Sequence, residues 1–131
     1  MDENLTPKQK EIKEKFTAAR GYWNEASWGQ LLRLDPDFFE AYTNYSSKPW
    51  IKGVLPPKTK ELIYIAIDAS CTHLHANGVR THMKNALKYG ATKEEIMEVL
   101  ELTSVLGIHT LTLGVPILVE ELKAAGKEVG F

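Results

Sequence analysis

The sequence predicts an all-α protein of about six or seven helices. Helix-start signals recur along it: Thr6-Pro7 with Gln9 three residues after the cap, Asp35-Pro36, and Thr92 with Glu95. Between these signals, apolar residues return at three- and four-residue spacing. One short β-branched run, residues 63–67, could form a strand, but no partner strand is found elsewhere.

The first helix is expected over residues 7–19, ended by Gly21. Its apolar positions are sparse (Ile12, Phe16, Ala19), which predicts a surface helix docked along one edge and suited to meeting another subunit. A short second helix is expected over 25–34, with Trp28, Leu31 and Leu32 on one face. The third carries Phe38, Phe39, Tyr42 and Tyr45 at the spacing of a buried face. Pro49, Gly53 and Pro56-Pro57 then mark a connecting loop.

From Lys58 a strongly apolar helix begins (Leu62, Ile63, Ile65, Ala66, Ile67, Ala69) and is expected at the centre of the fold. Glu61 lies near its N-terminal end, where the helix dipole favours a carboxylate. Asn77 is expected to cap the next helix, which Gly90 ends. The Thr92 capping box opens another, with Ile96, Val99, Leu100 and Thr103 inward and Gly107 at its end. The last helix is expected over 108–125, with Pro116 as a kink or a first-turn residue.

The 131 residues match the size of one domain. A net charge of −1, with Lys and Arg dispersed, gives no electrostatic footprint for nucleic acid or a membrane surface. No apolar run of membrane-spanning length and no signal-peptide pattern are read, so the expected location is cytoplasmic. A lone cysteine, Cys71, excludes a disulfide or dithiol cycle within one chain and is expected as a small buried hydrophobe. Trp23 and Trp50 are candidates for subunit contacts or for the core.

The candidate chemistry lies around residues 61–109. His73, His75 and His82 fall within it and His109 at its edge. His82 is the candidate general acid or base and Glu61 its partner. In a helical hairpin, direct pairing requires His82 to sit well along the second helix, because Glu61 is at the far end of the first. His73 and His75 form a His-x-His pair, and with His82 or His109 they offer nitrogen ligands for a divalent transition metal. Arg80 could hold a substrate carboxylate, and His109 is a further substrate-binding candidate.

Glu61-Leu62-Ile63 leading an apolar helix, His82, then Gly90-Ala91-Thr92-Lys93-Glu94-Glu95-Ile96 and Glu98-Val99-Leu100 resemble the carboxymuconolactone decarboxylase and alkylhydroperoxidase D-like family. The resemblance places a family core at 34–125 and an N-terminal helical extension at 1–33. It implies an oligomer, commonly a trimer or hexamer, with active sites near subunit contacts. In the redox branch, a Cys-x-x-Cys pair would fall on His75 and Gly78, counting back from His82; neither is a thiol. In the decarboxylase branch an acidic residue stands where this chain has Gly78.

The resemblance therefore implies a lyase or isomerase of decarboxylase type, acting by proton transfer on a small carboxylated or lactone-type metabolite without a cofactor. His82, Glu61 and His75 would be catalytic, with His75 in place of the missing acid or thiol. Three alternatives stay open: a metalloenzyme using His73, His75, His82 and His109, a thiol-dependent peroxidase in which Cys71 pairs outside its own chain, and a non-catalytic oligomeric binding module. A closed interior with no pocket leading to His82 would mark the last.

Overall fold

The structure is a computed structural model and describes residues 4–131. Among them there is no strand, and the all-α expectation holds. The chain divides into two compact units, Met1–Leu55 and Pro56–Phe131.

The first unit contains α1 (Pro7–Arg20), a π-helical turn (Glu25–Gly29), α2 (Gln30–Leu34) and α3 (Pro36–Lys52). The Thr6 capping box starts α1, and Gly21 ends it in the left-handed region at φ 74°. Contrary to the surface position expected of it, α1 supplies the middle of this unit's core. Phe16 is fully buried, with the rings of Tyr22, Trp23, Trp28 and Phe39 centred 5.5–5.8 Å away. A few large side chains here achieve what apolar periodicity usually does, because one phenylalanine surrounded by rings buries as much area as several aliphatics.

Trp23 belongs to this cluster, and its indole N–H donates to Glu25 Oε2 at 2.8 Å. Trp50 is half-buried, with the Arg20 guanidinium 5.4 Å from its ring centre. Only part of the α3 aromatic stripe turns inward: Phe39 is buried and Tyr42 packs on the cluster, whereas Phe38 and Tyr45 are exposed. The helix also runs through Pro49, which the sequence reading put in a loop. A proline so close to the helix end removes one amide donor without stopping the last turn.

The second unit contains α4 (Pro57–Ala69), α5 (Ala76–Lys88), α6 (Lys93–Ser104), a 3-10 turn (Val105–Gly107) and α7 (His109–Ala124). α4 and α5 form a helical hairpin, and α6 packs on α4. Ile65, Ala86, Ala91 and Ile96 form the core, joined by Leu62, Met83, Val99 and Leu100. α4 is central to this unit, as expected, packing on both α5 and α6, but its buried face is not wholly apolar. Its buried residues are Lys60, Glu61, Ile65 and Asp68, while Ile63 and Ile67 are about half exposed.

Three further expectations are corrected here. α5 starts at Ala76, one turn position before the predicted Asn77 cap, with His75 at the N-cap. Cys71 is exposed. The stretch Lys93–Ala124 contains a window of mean hydropathy 1.8 that is long and apolar enough to cross a membrane by length and composition. Residues 102–119 carry no Asp, Glu, Lys or Arg. Gly107, His109, Gly114 and Pro116 break that run into pieces when it is read linearly, which conceals its length.

The entry to α6 is fixed electrostatically. Glu95 accepts from the Thr92 amide at 2.8 Å, donates its own amide to Thr92 Oγ1 at 3.1 Å, and meets Lys58 Nζ at 2.8 Å. The Lys58 ammonium first, and then the Thr92 amide, hold the Glu95 carboxyl below the ordinary value of 4.5. A lowered folded-state value means that the stabilisation is present above the unfolded value and is lost as pH falls through the folded one. Thermal unfolding followed from about pH 6 down to about pH 3 should therefore show a smaller acid loss in Glu95→Gln than in the parent.

Candidate active site

Glu61 sits in the second turn of α4, and Asp68 follows seven residues later on the same face of the helix. His82 is the seventh residue of α5, far enough along for the antiparallel hairpin to place it opposite Glu61. The pairing is direct. His82 Nδ1 meets Glu61 Oε2 at 2.5 Å, and Asn85 Nδ2 donates to Glu61 Oε1 at 3.2 Å. Glu61 is fully buried and His82 is 4% exposed. A carboxylate in that position is stable only because both its oxygens are engaged.

The Tyr64 ring stacks on the imidazole, with centroids 4.6 Å apart and planes 18° from parallel. Nδ1 is engaged by the carboxylate, and Nε2 is the ring nitrogen on the opposite side, away from Glu61. Nε2 faces Asp68 Oδ2 at 3.7 Å. Asp68 is buried, yet it lines a cavity of about 550 Å³ together with Leu74, Val79, Arg80, Met83 and Leu87. The line from Glu61 through His82 to Asp68 thus runs from a buried carboxylate to an opening. That opening is the feature a closed, degenerate site would lack.

Asp68 fits because residue 78 is glycine. A Cβ at Gly78 would lie 1.9 Å from Asp68 Oδ2 and 2.6 Å from His75 Nδ1. The carboxylate of α4 occupies the space that a side chain on α5 would otherwise fill.

The loop brings two more imidazoles to the same carboxylate. His73 Nε2 lies 3.3 Å from Asp68 Oδ1, and His75 Nδ1 lies 3.9 Å from Oδ2. Between them Leu74 adopts φ 46°, a left-handed conformation rare for a bulky side chain, so the loop is a tight turn. His75 also donates its backbone N–H to the Asp68 carbonyl at 2.8 Å.

Of the residues singled out from sequence, the structure brings Glu61, His82, His73 and His75 around Asp68 and sets Arg80, exposed, on the wall of the cavity. His109 lies elsewhere on the surface, beside Ile67, Ser70 and Leu102, with Nδ1 at 3.1 Å from the Thr112 hydroxyl. Asp68 is the residue that sequence reasoning missed. Its signal was present: it is the one acid in the apolar half of α4, at helical spacing from Glu61.

A buried carboxylate–imidazole pair reaching a small cavity through Asp68 is an arrangement able to hold and move a proton. The carboxymuconolactone decarboxylase family profile matches residues 36–110, more than half of the sequence, and the chain belongs to that family. It is also similar to a solved structure from Burkholderia xenovorans LB400, described as a proposed gamma-carboxymuconolactone decarboxylase subunit. The two share 52% identity with a TM-score of 0.87 over 92% of this chain. This chain spans 48% of the length of that one. No curated protein matches by sequence. The family match begins at Pro36 and so takes in α3 of the first unit as well as most of the second.

Proposed function

We propose that this chain is a lyase or isomerase of the carboxymuconolactone decarboxylase type, transferring a proton on a small carboxylated or lactone-type metabolite. The observation that carries this reading is the buried Glu61–His82 pair, whose Nε2 faces Asp68 at the cavity wall. In a decarboxylation, the electron pair of the breaking C–C bond stays on the substrate carbon, carbon dioxide departs, and the proton that the carbon takes up comes from the imidazolium by way of Asp68 at the cavity wall. In an isomerisation, the same relay removes a proton beside a carbonyl and returns it at another carbon.

Glu61 holds the ring and balances its positive charge. Asp68, in the space over Gly78, stands where related enzymes carry an acid, with His75 beside it; Arg80 meets the substrate carboxylate from the wall. The testing experiment is a screen of small lactones and unsaturated carboxylates, followed by ultraviolet absorbance and carbon dioxide release. Turnover that depends on His82 supports the reading, and inertness across both classes would remove it.

The working form in this proposal is a cytoplasmic homo-oligomer, trimeric or hexameric. α7 buries none of its residues within the chain, and Leu111, Leu113, Val115, Ile117 and Leu118 all stand exposed. So large an apolar surface calls for a covering partner. Light scattering after gel filtration should give a multiple of 14.7 kDa in detergent-free buffer. A species of one-chain mass, or a chain that needs detergent to stay in solution, would overturn the assembly.

A further inference from the structure

The proton-transfer reading uses Glu61, His82 and the Asp68 oxygen nearest them, and leaves His73 and His75 without a necessary role. We propose that Asp68, His73 and His75 form a binding site for one divalent transition-metal ion of the zinc type. Each of the three offers a ligand atom, and these atoms all lie within 4.8 Å of one another.

The spacing suits an ion better than direct hydrogen bonds. The contacts of Asp68 with His73 and His75 measure 3.3 and 3.9 Å. Charge-assisted N–H···O bonds are shorter, about 2.7–2.9 Å. Donors bound to one ion at 2.0–2.2 Å stand about 3–3.5 Å apart. The closer contact already falls in that range, and the wider one closes with a small rotation of an exposed ring.

The backbone has largely built the site. His73 donates its N–H to the Ser70 carbonyl at 2.9 Å, and His75 donates to that of Asp68 at 2.8 Å, so the loop is tied to the end of α4 on both sides of Leu74. The two rings lie 5.5 Å apart, tilted by 60°. Gly78, with no side chain, leaves α5 room to pack directly against the Asp68 carboxylate and the His75 ring. Two imidazoles with one carboxylate select a zinc-like or iron-like ion over calcium or magnesium, and three protein ligands leave a coordination position open. Both histidine side chains are about half exposed, at 53% and 51%, so an ion can reach them from solvent.

The assignment does not rest on the lyase reading. Asp68 joins the two through Oδ2, which faces both His75 Nδ1 and His82 Nε2. The test is calorimetric titration of chelator-stripped protein with Zn²⁺, supported by visible spectra with Co²⁺. About one Zn²⁺ per chain is expected, with affinity falling about tenfold or more in each of His73→Ala and His75→Ala. Those side chains are exposed, so both variants should keep the parent's circular dichroism. His109→Ala should bind as the parent does. His82→Ala should keep Zn²⁺ while losing turnover, so either proposal can fail without the other. Absence of saturable uptake, or equal uptake in His73→Ala and His75→Ala, would overturn the site.

Discussion

Replacing His82 with alanine is expected to lower kcat about 100- to 10,000-fold on whichever lactone or carboxylate the screen identifies, because general acid–base catalysis contributes about that much. KM should change little, since the ring lies behind Asp68 and substrate binding falls to the cavity wall. The alanine variant also leaves Glu61 buried without its closest partner, and an unpaired buried carboxylate is destabilising. His82→Gln addresses that difficulty. Its amide can donate to Glu61 and fill similar volume, yet it cannot exchange a proton near neutral pH. Loss of kcat in both variants with unchanged circular dichroism assigns proton transfer to the imidazole. Full activity in His82→Gln would take His82 out of the mechanism.

Gly78→Ala is expected to change sign with its background. In the parent, the added methyl meets the Asp68 carboxylate at 1.9 Å, and forced overpacking of this kind costs about 1–3 kcal/mol. In Asp68→Ala the nearer obstacle is gone, and only the exposed His75 ring, 2.6 Å away, has to turn aside. There the usual advantage of alanine over glycine inside a helix, about 0.8–1 kcal/mol, should appear as stabilisation. Urea unfolding of the four proteins closes a double-mutant cycle, with a coupling of about 2–4 kcal/mol expected. Additive effects would show that Asp68 does not occupy the space over residue 78.

Much of this arrangement was legible in the sequence. The Thr6 and Thr92 capping boxes and the Gly21 and Gly90 stops are local chemistry, decided within four or five residues, and the structure places them where the sequence does. What escaped was set by packing. α1 looked peripheral because Ile12 and Phe16 are few, yet one ring enclosed by four others makes a core. α4 looked central because it is rich in isoleucine. Its inward face carries Glu61 and Asp68 beside Leu62 and Ile65, leaving Ile63 and Ile67 turned outward. Composition reports how much of a helix is apolar, and it does not report what stands opposite each face.

For the candidate site, histidine clustering and the family resemblance led to Glu61 and His82. Asp68 was hidden because its importance comes from an absence on another helix, the missing side chain of Gly78. His109 was drawn in by its closeness in sequence, and the fold carries it to a different surface.

The shared space of residues 68 and 78 also constrains how this protein could have descended from relatives with a side chain at the second position. The two occupants contend for one space, so the order of substitution matters. A lineage that gained Asp68 before losing its side chain at 78 would pass through a clashing intermediate exposed to selection. One that became glycine first would pass only through a roomier site. The passable route is therefore the one on which the older side chain disappears before the new carboxylate arrives, and reversion must retrace those steps backwards. Descendants should carry one or the other, and a chain holding both should be missing from the lineage.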